Sequence, residues 1–200
     1  MTSKIKVNIL ADGGDNSIIT SDGAGAVTFG TSGDSITIPS GVTITNNGTQ
    51  TGFGGENTPA FEAINNTNQS MSNNTYTKVT FGTENLDTDS CFASSRFTPT
   101  VAGKYFVYST LTIQCGLNVG HAGHIQIRKN GSAIFLSQSN DYNNTVMNIF
   151  SVSASAIVSL NGSSDYVEIY GLGENSSGTP SILGNANGES IFGGYKIIGA

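Results

Sequence analysis

The chain has no tryptophan, only four prolines and two cysteines in 200 residues, and charged side chains make up just 11% of it. Two cysteines are too few for a disulfide scaffold or a cysteine-rich zinc site. Cys91 and Cys115 could pair in principle, but sequence alone does not place their Cα atoms within bonding distance, and synthesis in a cytoplasm favours free thiols. Long apolar runs are missing too. The nearest candidate, Val7 to Leu10, is interrupted by Asn8 and stopped by Asp12-Gly13-Gly14, so neither a signal peptide nor a membrane span is expected. Cations are scarce: eight Lys and Arg face 14 Asp and Glu, and the net charge of −6 with no basic stripe argues against binding nucleic acid.

Enzymatic signatures are absent as well. There is no G-x-S-x-G elbow, P-loop, H-E-x-x-H helix or Rossmann fingerprint, so no nucleophile, phosphate cradle or zinc base is announced and the chain is expected not to be an enzyme. Glu62, Glu84, Asp87, Asp89, Asp165 and Glu168 are scattered, and they read as solvated loop charges rather than as a glycosidase pair. His121-Ala122-Gly123-His124 is the one histidine cluster, and without partners at ligand spacing it reads as a polar loop between strands, with no metal or cofactor expected. The N-x-S/T triplets at Asn65, Asn73, Asn143 and Asn161 arise readily in a chain this rich in Asn, Ser and Thr, and they carry no glycosylation signal without a secretory route.

What is present is 26 glycines with many Asn, Ser and Thr and no long helical periodicity, a composition of short strands joined by polar turns. The run from Phe97 to Tyr108 is the most specific. Pro99 cannot donate to a central ladder and Gly103 permits a turn, so one strand ends here and another begins. Tyr105, Val107, Leu111 and Ile113 then alternate with Phe106, Tyr108, Thr110, Thr112 and Gln114, the period of two of a strand with one face on a core. If Tyr105 and Val107 point inward, Phe106 and Tyr108 point outward and need a cover. A slip of one residue would exchange the faces and put this pair in the core.

This segment resembles the globular head of complement component-one subunit q and the tumour-necrosis-factor-like family. Pro59-Ala60-Phe61-Glu62-Ala63, Lys78-Val79-Thr80-Phe81, Ile125 to the Asn130-Gly131 turn, Ala156 to Leu160, Asp165 to Ile169 and Ser190 to Ile198 follow in the family's order, over residues 58 to 200. The chain departs from the pattern at Ser164, where the family usually has Gly, and at Val107, which replaces an aromatic. The resemblance implies a jelly-roll β-sandwich that associates as a homotrimer about the face holding Phe106 and Tyr108, and it places those two at the subunit interface. Calcium occurs in relatives, but no carboxylate cluster here maps onto such a site.

Residues 1 to 55 have a different grammar. Ile18-Ile19, Val27-Thr28-Phe29, Ile36-Thr37-Ile38 and Val42-Thr43-Ile44 are small apolar beads separated by Gly, Asp and Ser, the first three about nine residues apart. They resemble the Gly-punctuated β segments of tailed-bacteriophage fibres and β-prism bases, β-prism or β-helix-like in kind. So short a segment buries no core alone, and three copies wound together would supply one. A flexible arm is the alternative. A linker from Thr45 to Gly55 sets the boundary, giving an attachment and trimerisation segment at 1–55 and a jelly-roll head at 56–200.

The resulting expectation is an all-β, homotrimeric phage protein on the virion surface, assembled in the host cytoplasm. It is a tail fibre or knob, or a capsid decoration, that docks on other virion proteins and offers its head for host attachment. The alternatives are a capsid-stabilising decoration protein without a receptor and a non-viral lectin-like adhesin. Loops after Cys115, around Asp141-Tyr142-Asn143 and from Gly171 to Gly188 are the expected contact surfaces, with His121, His124, Tyr142 and Asn143 as candidate contacts to a cell-surface glycan. Three weak sites held together would gain avidity.

Overall fold

The computed structural model describes residues 57–117, 119–140 and 147–198, together with 9–11, 13–14, 17–21, 27–29, 32–43 and 45. The chain divides into two compact units, Met1–Thr51 and Gly52–Ala200. Among the described residues every regular element is a strand.

In the first unit β1 (Ile9–Ala11), β2 (Ser17–Ser21) and β3 (Val27–Phe29) form an antiparallel three-stranded sheet. Ile36 and Ile38, expected as a further β bead, lie outside any strand. They are exposed, and among the described residues no segment pairs with them in a ladder. Val27, Phe29, Ile36 and Val42 are each more than half exposed.

The second unit is a sandwich of two antiparallel sheets. Its strands are β4 (Ala60–Ile64), β5 (Gln69–Ser70), β6 (Thr77–Lys78), β7 (Thr83–Asp87), β8 (Phe92–Ala93), β9 (Arg96–Phe97), β10 (Ala102–Gln114), β11 (Gly120–Lys129), β12 (Ser132–Asn140), β13 (Ile149–Asn161), β14 (Val167–Asn175), β15 (Ser181–Ile182) and β16 (Ile191–Lys196). In the first sheet β10 lies along the whole of β13. A strand has two edges, so β16 and β15 share the other one, with β4 and β7 beyond β16 and β5 beyond β15. The second sheet runs β12-β11-β14-β9-β8, with β6 also on β14.

Local sequence explains the main elements. Tyr105, Val107, Leu111 and Ile113 are fully buried on β10, which fixes the register in which Phe106 and Tyr108 face outward. The Asn130-Gly131 turn has positive φ at both residues, 51° and 80°, the hairpin geometry that joins β11 to β12. Gly103 lies within β10 rather than in the turn before it, and a side chain there would press on Lys196 at 2.9 Å. The segment Lys78 to Phe81 pairs as a strand only through Lys78, yet Val79 and Phe81 are buried. The centre of the core is an aromatic cluster: Phe61 stacks on Phe92 at 4.8 Å and Phe97 at 4.4 Å, and meets Phe192 edge-on at 4.7 Å.

Both cysteines are free and buried. Desolvation, with the adjacent Asp87 carboxylate, pushes the Cys91 thiol up to about 12, and desolvation pushes Cys115 up to about 11, so both stay protonated at neutral pH. The Asp87 carboxylate organises the loop before β8: its two oxygens accept the backbone N–H groups of Cys91 at 2.9 Å and Phe92 at 3.0 Å.

Candidate functional site

Three surfaces of the sandwich carry unusual chemistry. On the outer face of the first sheet, Phe106 lies 6.1 Å from Tyr108 and 5.7 Å from Tyr195, ring centroid to centroid. Opposite Phe106 on β13 stands Ile157, 64% exposed. The Tyr108 hydroxyl donates to Glu62 Oε2 at 2.8 Å, and Asn85 Nδ2 donates to the other oxygen at 3.2 Å. Burial, reinforced by the Glu62 carboxylate, pushes the Tyr108 phenol up to about 12. Gly193 makes this possible, because a Cβ there would collide with the Tyr108 ring.

Further along the same face the character changes to hydroxyl. Thr110 and Ser153 are 2.9 Å apart and Thr112 and Ser151 3.0 Å apart, each as a cross-strand hydrogen bond. Beside this row a shallow groove of about 260 Å³ runs between Tyr108, Thr110, Ser153, Ser155 and Phe135. Phe135 belongs to β12, the edge strand of the second sheet, where Ile134, Phe135 and Leu136 in succession are 41–47% exposed. Three consecutive exposed apolar residues on an edge strand are a docking feature or an aggregation hazard.

The second surface lies where two of the expected contact loops meet the chain entering β13. Gln114, Cys115, Gly116 and Leu117 after β10, Asn148 before β13, and Thr179 and Ser181 around β15 line one polar cavity of about 320 Å³. The backbone N–H of Cys115 donates to the Asn148 carbonyl at 2.7 Å, tying two of its walls together. Neither histidine lines it. His121 and His124 are not in a loop: both sit on β11, since Ile125 and Ile127 draw the whole segment into the ladder with β14. His124 faces Tyr76, with Nδ1 3.0 Å from the phenol oxygen, and its Nε2 is 3.2 Å from Asn140 Oδ1. Tyr142 and Asn143 lie outside the described residues. The expected loop from Gly171 to Gly188 is partly strand, being occupied by the end of β14 and by β15.

The third surface is the outer face of the second sheet, and it corrects the reading of the carboxylates. Glu168 is no solvated loop charge: it is 2% exposed, and its Oε1 accepts from Lys78 Nζ at 2.6 Å and from Arg96 Nε at 3.0 Å and Nη2 at 2.9 Å. Desolvation alone would raise this carboxyl, but the hydrogen bonds from Lys78 and Arg96 outweigh it and hold the group below the usual range. Asp165 pairs with Lys129 at 2.8 Å. The sequence hid this arrangement because Lys78, Arg96, Arg128 and Glu168 come from four separate segments.

Asp87 is also held low, its desolvation outweighed by the N–H groups of Cys91 and Phe92. Both groups have folded pKa values depressed below their unfolded values, so their stabilisation is complete above the unfolded carboxyl pKa and is lost as pH falls through the folded one. Thermal unfolding is expected to show a constant Tm at neutral pH and a falling Tm below about pH 4. Glu168→Gln should flatten that acid limb.

Among the described residues no three His, Cys, Asp or Glu side chains converge as a metal site, and no helix is long and apolar enough to cross a membrane. No family model and no curated protein matches the chain. Solved structures do. Murine APRIL at pH 5.0 superposes with a TM-score of 0.51 at 12% identity, covering 69% of this chain and 98% of that one. Murine APRIL at pH 8.5 gives 0.49 at 13% identity with the same coverages, and Eiger TNF from S. frugiperda gives 0.49 at 13% identity, covering 69% of this chain and 91% of that one. The sandwich therefore has the jelly-roll fold of tumour-necrosis-factor-like heads, and at such identity the likeness extends to the fold alone.

Proposed function

We propose that the chain is a non-enzymatic bacteriophage structural protein, a homotrimeric projection on the virion surface that docks by its first unit and presents the jelly-roll head for attachment to a host-surface glycan. One observation carries the oligomer: the outward cluster Phe106, Tyr108 and Tyr195 is only partly covered by the described residues of its own chain, with Tyr195 39% exposed and Ile157 beside the cluster 64% exposed. A second apolar surface, the exposed Ile134 to Leu136 edge, differs from it in shape and composition. Two unlike patches on one chain favour head-to-tail contact between copies, which closes into a ring when the rotation permits. Ring closure at three is the arrangement implied by the sequence resemblance.

The first unit supports the same reading. It leaves Val27, Phe29, Ile36 and Val42 largely in water, more apolar exposure than so small a sheet tolerates, and two further copies or a virion protein would cover it. The polar loop cavity lined by Gln114, Asn148, Thr179 and Ser181 offers amides and hydroxyls suited to sugar hydroxyls.

Cryo-microscopy of the virions, with an antibody against the head, tests the assignment. Label at regular sites on the tail supports a fibre or knob, and label on the capsid lattice supports decoration. Particles without label would remove the virion reading.

A further inference from the structure

We propose that the outer face of the second sheet is a binding surface for a carboxylate-bearing polysaccharide, with Arg128 as its principal anchor. This names the ligand class for the attachment role proposed above and takes its biological setting from that reading. The observation is a guanidinium that is held in place and left without an anion. Arg128 stands opposite Glu168 in the β11–β14 register, yet Glu168 is taken by Lys78 and Arg96. Among the described residues no carboxylate pairs with Arg128. Its guanidinium instead lies over the Tyr170 ring at 3.8 Å, with Tyr76 at 5.5 Å, and its Nε donates to Gln126 Oε1 at 2.9 Å.

Stacking and the Nε hydrogen bond fix the plane of the fork, and among the described residues no acceptor takes its terminal amino groups, which leaves them for a planar, two-oxygen acceptor. A side chain ordered in advance loses less entropy on binding than a free surface lysine. Arg96 also stacks, over Tyr166 at 3.7 Å with its side chain 42% exposed, but its Nε and Nη2 already donate to Glu168, so it adds positive charge beside the site rather than a second open fork. Tyr166 and Tyr170 stand on either side of Glu168 in the chain, so the two stacked guanidinium groups flank that carboxylate. Lys78, Arg96 and Arg128 surround one carboxylate, Glu168, so the row is locally positive on a chain of net charge −6. The remaining carboxylate on this face of β14, Glu174, is four residues beyond Tyr170, about 13 Å away.

Charge density selects the ligand. Duplex DNA carries a charge about every 1.7 Å and would meet the net negative field of the whole chain at every step. A polymer with one carboxylate per sugar or per few sugars brings a planar two-oxygen anion to the one open fork and neutral hydroxyls on either side of it.

The test uses the full chain, titrated calorimetrically at low salt with polygalacturonate oligosaccharides. Carboxyl-reduced polygalacturonate, dextran and a DNA duplex serve as comparisons. Binding to polygalacturonate alone is expected, weakened at least about tenfold by Arg128→Ala and measurably by Arg128→Lys, which keeps the charge and loses the fork. On the folded wild-type chain, polygalacturonate should also slow modification of Arg128 by phenylglyoxal, a readout that needs no variant. Absence of binding, equal binding to the carboxyl-reduced polymer, tighter binding to DNA, or unprotected Arg128 would each overturn the proposal. The outcomes separate from those of the projection reading: a chain that binds polygalacturonate but is missing from virions fails only the latter, and a virion projection indifferent to the polymer fails only this inference.

Discussion

Tyr108→Glu is expected to reduce the proposed trimer to single chains while leaving the sandwich folded. The phenol lies on the outer face of β10, packed on Phe106 and over Gly193, and its hydroxyl donates to Glu62. A glutamate at 108 would place a second carboxylate beside Glu62 and remove the aromatic contact area, so a covering subunit would have to bury two like charges without a partner. That penalty falls on association. The single chain bears a smaller share of it, because Tyr108 is only partly buried there and a glutamate at 108 reaches water beside Glu62. Light scattering should therefore report a mass close to one chain, with a far-UV spectrum unchanged from wild type. Retention of the wild-type mass would remove Phe106 and Tyr108 from the interface.

Phe61→Ala should have the largest effect on the fold itself, a loss of about 3–5 kcal/mol. The ring is 2% exposed and touches Phe92, Phe97 and Phe192, which come from β8, β9 and β16, so it joins both sheets through a single side chain. Its neighbours are themselves rigid rings held by ladders and have little freedom to collapse into the space left behind. A drop in Tm of roughly 6–20 °C is expected by calorimetry, on the usual scaling for a domain of this size. A change under 2 °C, within the roughly ±0.5 kcal/mol of an ordinary surface substitution, would mean that the aromatic cluster is not the centre of the core.

The parts of the fold legible in the sequence were those written in local grammar. Alternation on β10 separated Tyr105 and Val107 from Phe106 and Tyr108, and Asn130-Gly131 specified its hairpin, because both signals depend only on neighbours along the chain. The bead at Ile36 to Ile38 carried the same alternation but has no ladder partner among the described residues, and alternation alone does not supply one. His121 and His124 looked like loop residues because Gly120, Gly123 and two histidines dilute the apolar pattern, although pairing with β14 determines their place. The Arg–Tyr rows and the buried Glu168 were not legible at all. They are built from side chains up to 90 positions apart, and only the sheet brings them together.

The mass of the purified full chain in solution, measured by light scattering across a range of concentrations at neutral pH, bears most directly on the claim that these outward apolar surfaces exist to meet other copies. A value of three times the 20.7 kDa of one chain is expected. A folded, soluble species of one chain mass at every concentration would contradict it.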